Sequence, residues 1–329
     1  MPFEHSHSAH CESGVITSLL RHQGLNISEP MAFGISGALT MAYIPFLKIG
    51  GMPLIGYRMP PKSIIRGLAK RLGIKMHTET FRSRQAGMNA LDRYLQDGRP
   101  VGLQTSVYWL PYFPAEMRFH FNAHNLVVFG KSDNEYLISD PTLEQPVSCD
   151  ATSLKKARFV KGMMSPKGLI YYPTSVPDNV DLKAPILSAI RANTKMMLKT
   201  PIPLVGIKGI RTLSKAVRKL GAKHDNHTHQ NKLFLGHIVR MQEEIGTGGA
   251  GFRFLYASFL QEAAPIVDDA RLQVAATMLT NTGDEWRSFA LHAAKMCKGR
   301  MDMDYDKLAD QLLVCAEQEE EIFLKLSKI

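Results

Sequence analysis

The apolar positions change period once along the chain, near Tyr172. Before that point, short runs of period two alternate with short runs of period 3.6. Val101 to Val107, Ala123 to Gly130, Tyr136 to Pro141 and Gly168 to Tyr172 read as strands, since residues on a strand alternate faces and these runs are rich in β-branched and aromatic side chains. Ser63 to Leu72 and Gln85 to Leu95 read as helices, and Val15, Ile16, Leu19 and Leu20 mark a helix beginning at or just after Cys11. The mixture predicts an α+β domain over 1–173. Pro173-Thr174-Ser175-Val176-Pro177-Asp178-Asn179 is linker-like in composition, and 174–183 is read as the connection. Periods of 3.6 then follow one another over Ile186 to Leu198, Ile207 to Leu220, Lys232 to Ile245, Phe252 to Ala264, Val267 to Leu279, Glu285 to Cys297 and Tyr305 to Leu326. They predict a helical C-terminal domain over 184–329.

Candidate chemistry falls on three of these elements. A thiol at Cys11 would sit at the positive end of a helix dipole, which favours the thiolate and makes a nucleophile of it. His124 opens one predicted strand and Asp140 closes the next, so the order is cysteine on a helix, then histidine and aspartate on a hairpin. If Ser132-Asp133-Asn134 is a three-residue loop, Lys131 faces Glu135, His124 faces Thr142, and Asp140 is the diagonal neighbour of His124 on the same face. A two-residue Asp133-Asn134 loop would send the two side chains to opposite faces, unless a bulge restores the register. Taken singly, His124 is a satisfied core histidine and Asp140 a turn cap before Pro141. The ordered set favours a papain-like Cys11, His124, Asp140 triad.

His10-Cys11-Glu12, Leu19 to Gly24, Ser28-Glu29-Pro30 and Phe33 to Ala38 together resemble the N-terminal domain of the butirosin biosynthesis protein H family. That domain is itself similar to the cysteine peptidase domains of bacteriocin exporters. Gly246-Thr247-Gly248-Gly249-Ala250-Gly251-Phe252-Arg253, with Tyr256, Phe259 and Glu262, resembles the accompanying C-terminal domain. The resemblance implies a papain-like fold and acyl transfer, from an acyl carrier protein thioester through a Cys11 acyl-enzyme to an amine or hydroxyl acceptor. No cofactor is expected on the chain; 4'-phosphopantetheine would arrive on the donor. The exporter peptidases hold the oxyanion partly with a glutamine upstream of the cysteine, whereas this chain has His5 and Ser6 there, with His10 adjoining the thiol. The backbone N–H of Cys11 with a side chain at His5 or Ser6 is the expected substitute, each such donor being worth about 3 kcal/mol. A thioesterase, a cysteine peptidase and a carrier-protein or metabolite binding module are the alternatives.

Composition narrows the partners. At 329 residues, 45% hydrophobic and 21% charged, the chain is expected to be a soluble two-domain protein. The polar start, the lack of a membrane-length apolar run and four cysteines without paired spacing suggest a cytoplasmic setting. Lys183 to Lys223 contains ten basic residues and no acid, within a net charge of +10. Such a face attracts anions, and Lys215, Arg218 and Lys219 are read as a docking patch for an acidic carrier protein, with a plain solvated face as the even alternative. Nucleic acid is not expected, because the cations alternate with Leu, Ile and Pro instead of stacking aromatics. A peripheral membrane contact stays open.

The remaining clusters carry less. His5, His7, His10 and Cys11 lie too close in sequence for a tetrahedral metal site, and His224, His227 and His229 read as a polar helix-helix loop. The glycine run 246–251 lacks the Lys-Ser/Thr of a P-loop. Either Gly248 and Gly249 with Arg253 and Tyr256 hold a substrate phosphate or carboxylate, or the run is a helix cap with close packing. Cys297 and Cys315 read as small core residues, and Cys149, like them, lacks a partner set.

Overall fold

The computed structural model describes residues 2–221 and 228–329. In chain order the helices are α1 (Cys11–His22), α2 (Glu29–Ser36), α3 (Ser63–Leu72), α4 (Arg84–Gln96), α5 (Ala151–Arg158), α6 (Lys183–Lys199), α7 (Ile207–Gly221), α8 (Thr228–Val239), α9 (Arg253–Val267), α10 (Ala270–Cys297) and α11 (Tyr305–Leu326). The strands are β1 (Leu39–Ile49), β2 (Met52–Arg58), β3 (Lys75–Glu79), β4 (Val101–Thr105), β5 (His124–Ser132), β6 (Glu135–Ser139), β7 (Val147–Asp150) and β8 (Ile170–Ser175). Two compact units result, residues 1–32 with 64–180, and residues 33–63 with 181–329.

The first unit is built on a six-stranded antiparallel sheet of order β3-β8-β4-β5-β6-β7. Strand alternation sends Val101 and Leu103, Leu126 and Val128, and Ile138 to one face, where they meet Met88 and Leu91 of α4 and Leu154 of α5. Gly102, Asn125 and Tyr171 therefore take the other face, against which α1 packs. The first turns of α1 carry small residues, and this is a packing requirement. A methyl group added at Gly14 would lie 2.5 Å from the Pro141 Cβ and 2.7 Å from that of Ser8. Only glycine lets the segment after β6 cross the first turn of this helix.

The hairpin of β5 and β6 corrects the three-residue loop expected from the sequence. Ser132 pairs with Glu135 across a two-residue Asp133-Asn134 turn, with Asp133 in the left-handed region at φ 52°. Gly130 then pairs with Leu137 but Val128 with Ile138, so a bulge absorbs one extra residue at Phe129. Below the bulge Val127 faces Ser139. Continued to the strand ends, this register puts His124 opposite Thr142 and makes Asp140 its diagonal neighbour on the same face. The bulge accomplishes what a longer loop would have done.

The second unit is mostly helical. Helix α10 packs against α8, α9 and α11, and α11 against α6 and α7, around Trp286, Phe289, Phe259 and Phe323. Two expectations change here. Residues 33–63, placed by the sequence in the N-terminal domain, form the β1–β2 hairpin and cluster with these helices. It turns on Gly50 and Gly51, both at positive φ, and β1 packs on α6 and α7. The segments 267–279 and 285–297, read as separate helices, are largely one 28-residue helix, α10. Gly283 between them is no breaker: a Cβ there would lie 2.6 Å from the Phe254 ring.

Candidate active site

Helix α1 begins at Cys11, with His10 as its N-cap accepting from the Ser13 N–H. The Cys11 backbone N–H is thus at the first helical position, where no intrahelical acceptor exists. A network fixes the approach to this turn. The Glu29 carboxylate accepts from the backbone N–H of Ala9 and of His10, both at 2.8 Å, and from the Ser13 hydroxyl at 2.8 Å. Burial pushes the Glu29 carboxyl up despite those donors. On the next position Glu12, fully buried, accepts from the N–H groups of Ile64 and Ile65 at the start of α3.

His124 donates from Nε2 to Asp140 Oδ2 at 2.6 Å, both side chains being buried. With Nε2 committed to Asp140, Nδ1 is the ring nitrogen left to exchange a proton with Cys11, which is among the groups that raise His124. Asp140 accepts three further bonds, from the Tyr112 hydroxyl at 2.9 Å and from the Thr142 N–H and hydroxyl at 3.1 and 2.8 Å. Burial alone would raise the Asp140 carboxyl and lower His124. The pair reverses both: the Asp140 carboxyl is held below its usual range, and Asp140 with Cys11 pushes His124 up to about 10. An imidazolium is thereby stable beside the sulfur at neutral pH, as nucleophilic cysteine chemistry requires.

Two family models match the chain. One, described as Domain of unknown function (DUF4872), matches residues 152–326, more than half of the sequence. The chain belongs to that family. The other, Butirosin biosynthesis protein H, N-terminal, matches residues 10–141 and takes in Cys11, His124 and Asp140. That stretch is similar to the butirosin biosynthesis protein H N-terminal domain, and a helical C-terminal region follows it. Among solved structures, a chain described as a C39-like peptidase from Bacillus anthracis is 14% identical, with a TM-score of 0.37 over 53% of this chain and 96% of its own. No curated protein matches the chain.

Other residues singled out by the sequence of this family member lie elsewhere or are already engaged. His5 has its Nδ1 on the Ser139 hydroxyl at 2.7 Å and its Nε2 on the Leu143 carbonyl at 3.0 Å, so neither nitrogen is left for an oxyanion. The Ser6 hydroxyl donates to the His7 carbonyl in an exposed contact, and His10 caps α1. In the second unit Arg253 is fully buried and spent on Glu319 and on the Gly251 carbonyl. The glycine run serves turn geometry: Gly248 and Gly249 have φ of 68° and 87°, and the Ala250 N–H donates to the protein's own Glu243. Tyr256 packs among Phe259 and Phe323. None of these residues is available as an anion cradle. Arg218 of the expected docking patch is ion-paired with Asp306 and Asp310 of α11, and Arg211 with Glu320, while Lys215 and Lys219 are exposed.

Of the histidine clusters, His224 and His227 lie outside the described residues. Among the described residues no group of His, Cys, Asp or Glu could hold a metal ion, and no helix is long and apolar enough to cross a membrane. The sequence reading missed Glu29, Tyr112 and Asn125. Glu29 stood in the Ser28-Glu29-Pro30 motif, which marked it without saying why; the other two carry no spacing that would have found them.

Proposed function

We propose that the protein is a cysteine-dependent acyltransferase that takes an acyl group from an acyl carrier protein thioester. The reading rests on one observation above all: His124 is hydrogen-bonded to Asp140 at 2.6 Å, and Cys11, at the N-terminus of α1, is among the groups that raise it. His124 takes the thiol proton on Nδ1, and the Cys11 sulfur attacks the donor carbonyl. The tetrahedral oxyanion forms beside the Cys11 backbone N–H, which has no acceptor within the helix. Collapse breaks the donor C–S bond, and the pantetheine sulfur leaves with the proton from His124. The acceptor then gives His124 a proton and attacks the Cys11 thioester. Collapse restores the thiol and releases an amide or ester. Asp140 holds the imidazole by Nε2 through every step. The 4'-phosphopantetheine belongs to the donor, so it is substrate, and the acceptor is a small-molecule amine or alcohol.

The test is intact mass spectrometry of the wild type and the Cys11→Ala variant after exposure to a panel of acyl-carrier-protein thioesters. An adduct of the acyl mass on wild type alone is expected, released on addition of an amine or alcohol acceptor. Release at the same rate in plain buffer would make the enzyme a thioesterase. An adduct on both forms, or on neither, removes Cys11 as the acyl carrier.

A further inference from the structure

The oxyanion donors expected at His5 and Ser6 are engaged elsewhere, yet a different side chain reaches the sulfur. Asn125, 4% exposed, directs its amide nitrogen at the Cys11 Sγ at 4.0 Å, and the same nitrogen donates to the Ala123 carbonyl at 3.0 Å. Its orientation is set by Tyr171, whose hydroxyl donates to Asn125 Oδ1 at 2.8 Å. The phenol is buried, and burial with the nearby Glu12 and Cys11 pushes its ionisation well above the ordinary range, so it remains a donor throughout the working range of pH. An amide whose oxygen is already accepting from a permanent donor cannot turn that oxygen to the sulfur without losing a buried hydrogen bond. The seat for Tyr171 is made by Gly102, its register partner on β4, where a Cβ would lie 2.4 Å from the ring.

We propose that Asn125 is a catalytic residue of this site, with Tyr171 as its positioning residue. This rests on the Cys11 reading above and deepens it. The Asn125 N–H donates to the sulfur and so favours the thiolate over the thiol. In the tetrahedral intermediate the oxyanion is two bonds from that sulfur, and the same N–H joins the Cys11 backbone N–H as its second donor. His124 is the first residue of β5, and Asn125, next to it, lies on the sheet face against which α1 packs, so β5 carries the base and the donor at adjacent positions.

The experiment is alkylation of Cys11 by iodoacetamide as a function of pH, followed by peptide mass spectrometry, in wild type, Asn125→Ala, Tyr171→Phe and His124→Ala. For Asn125→Ala the midpoint of the pH profile is expected to rise, and the rate at neutral pH to fall about tenfold, the effect of losing one hydrogen bond to a charged group. Tyr171→Phe, which keeps the ring and removes one oxygen, is expected to shift the profile the same way by less. Wild-type profiles in both variants overturn the proposal, and so does a lowered melting temperature with an unmoved profile. If His124→Ala also leaves the profile of wild type unchanged, the triad reading fails first and the Asn125 role with it. A shift in His124→Ala without one in Asn125→Ala or Tyr171→Phe rejects Asn125 alone.

Discussion

A single carboxylate decides how the histidine behaves. His124 is buried, which by itself would keep it neutral, but Asp140 at 2.6 Å together with Cys11 pushes it up to about 10 from an ordinary 6.5. A group raised on folding adds stability that is fully present below its unfolded value of 6.5 and is lost as pH rises through about 10. Asp140 runs the other way: held below its ordinary 3.8, it adds stability that is present above that value and lost on acidification. In turnover, the alkaline limb of the transfer rate should therefore lie near pH 10. In Asp140→Asn it should fall by about one to three pH units, the usual effect of removing an adjacent opposite charge. A pH–rate profile of both enzymes checks this, and an unmoved limb would mean that Asp140 does not control the imidazole. These three residues were legible from residue type and order. Glu29, Tyr112, Asn125 and Tyr171 were not, because each acts through a contact between segments far apart in sequence, for which no spacing is diagnostic.

At the level of elements, the sequence showed what the hairpin needed but not how it would be met. Period two placed β5 and β6, and the parity argument required either a longer loop or a bulge. Nothing local distinguishes a bulge at Phe129 from a turn at Ser132, since both serve the same alternation of faces. Helix boundaries failed at α10, read as two segments on either side of Gly283, because that glycine packs against the Phe254 ring inside one continuous helix. Glycine also governs how α1 meets the strand that carries Asp140. The Ser8 N–H donates to the Pro141 carbonyl at 2.7 Å directly over Gly14. Gly14→Ala should destabilise the protein by about 1 to 3 kcal/mol through overpacking, and should slow Cys11 alkylation by moving the His124–Asp140 segment off the thiol. Urea denaturation and the alkylation rate measure the two effects. A stable variant with wild-type alkylation would show that the crossing tolerates a methyl group.

Across the whole molecule, sequence distance was a poor guide to association. The period change near Tyr172 is real, yet Phe33–Ser63 clusters with the helical unit, because its β1–β2 hairpin packs on α6 and α7. The basic run beginning at Lys183 looked unopposed for the same reason: its counter-charges Asp306, Asp310 and Glu320 come from α11, about ninety or more residues on. The most consequential of these long-range pairs is buried. Arg253 and Glu319 are both fully enclosed and form a two-pronged ion pair at 2.8 and 3.0 Å, and Trp286 Nε1 also donates to Glu319 at 2.6 Å. Arg253 also lies over the rings of Tyr57 and Trp286. Removing one partner of such a pair leaves an uncompensated charge, so Glu319→Ala should cost about 3 to 5 kcal/mol. Removing both charges together, in Arg253→Met with Glu319→Gln, leaves an acceptor for Trp286 and should cost less than Glu319→Ala alone, although two side chains have changed. Urea unfolding of the three proteins gives the comparison. If the double variant is the less stable, the pair contributes net stability of its own, and Arg253 is then held in place by more than its partner's need for a counter-charge.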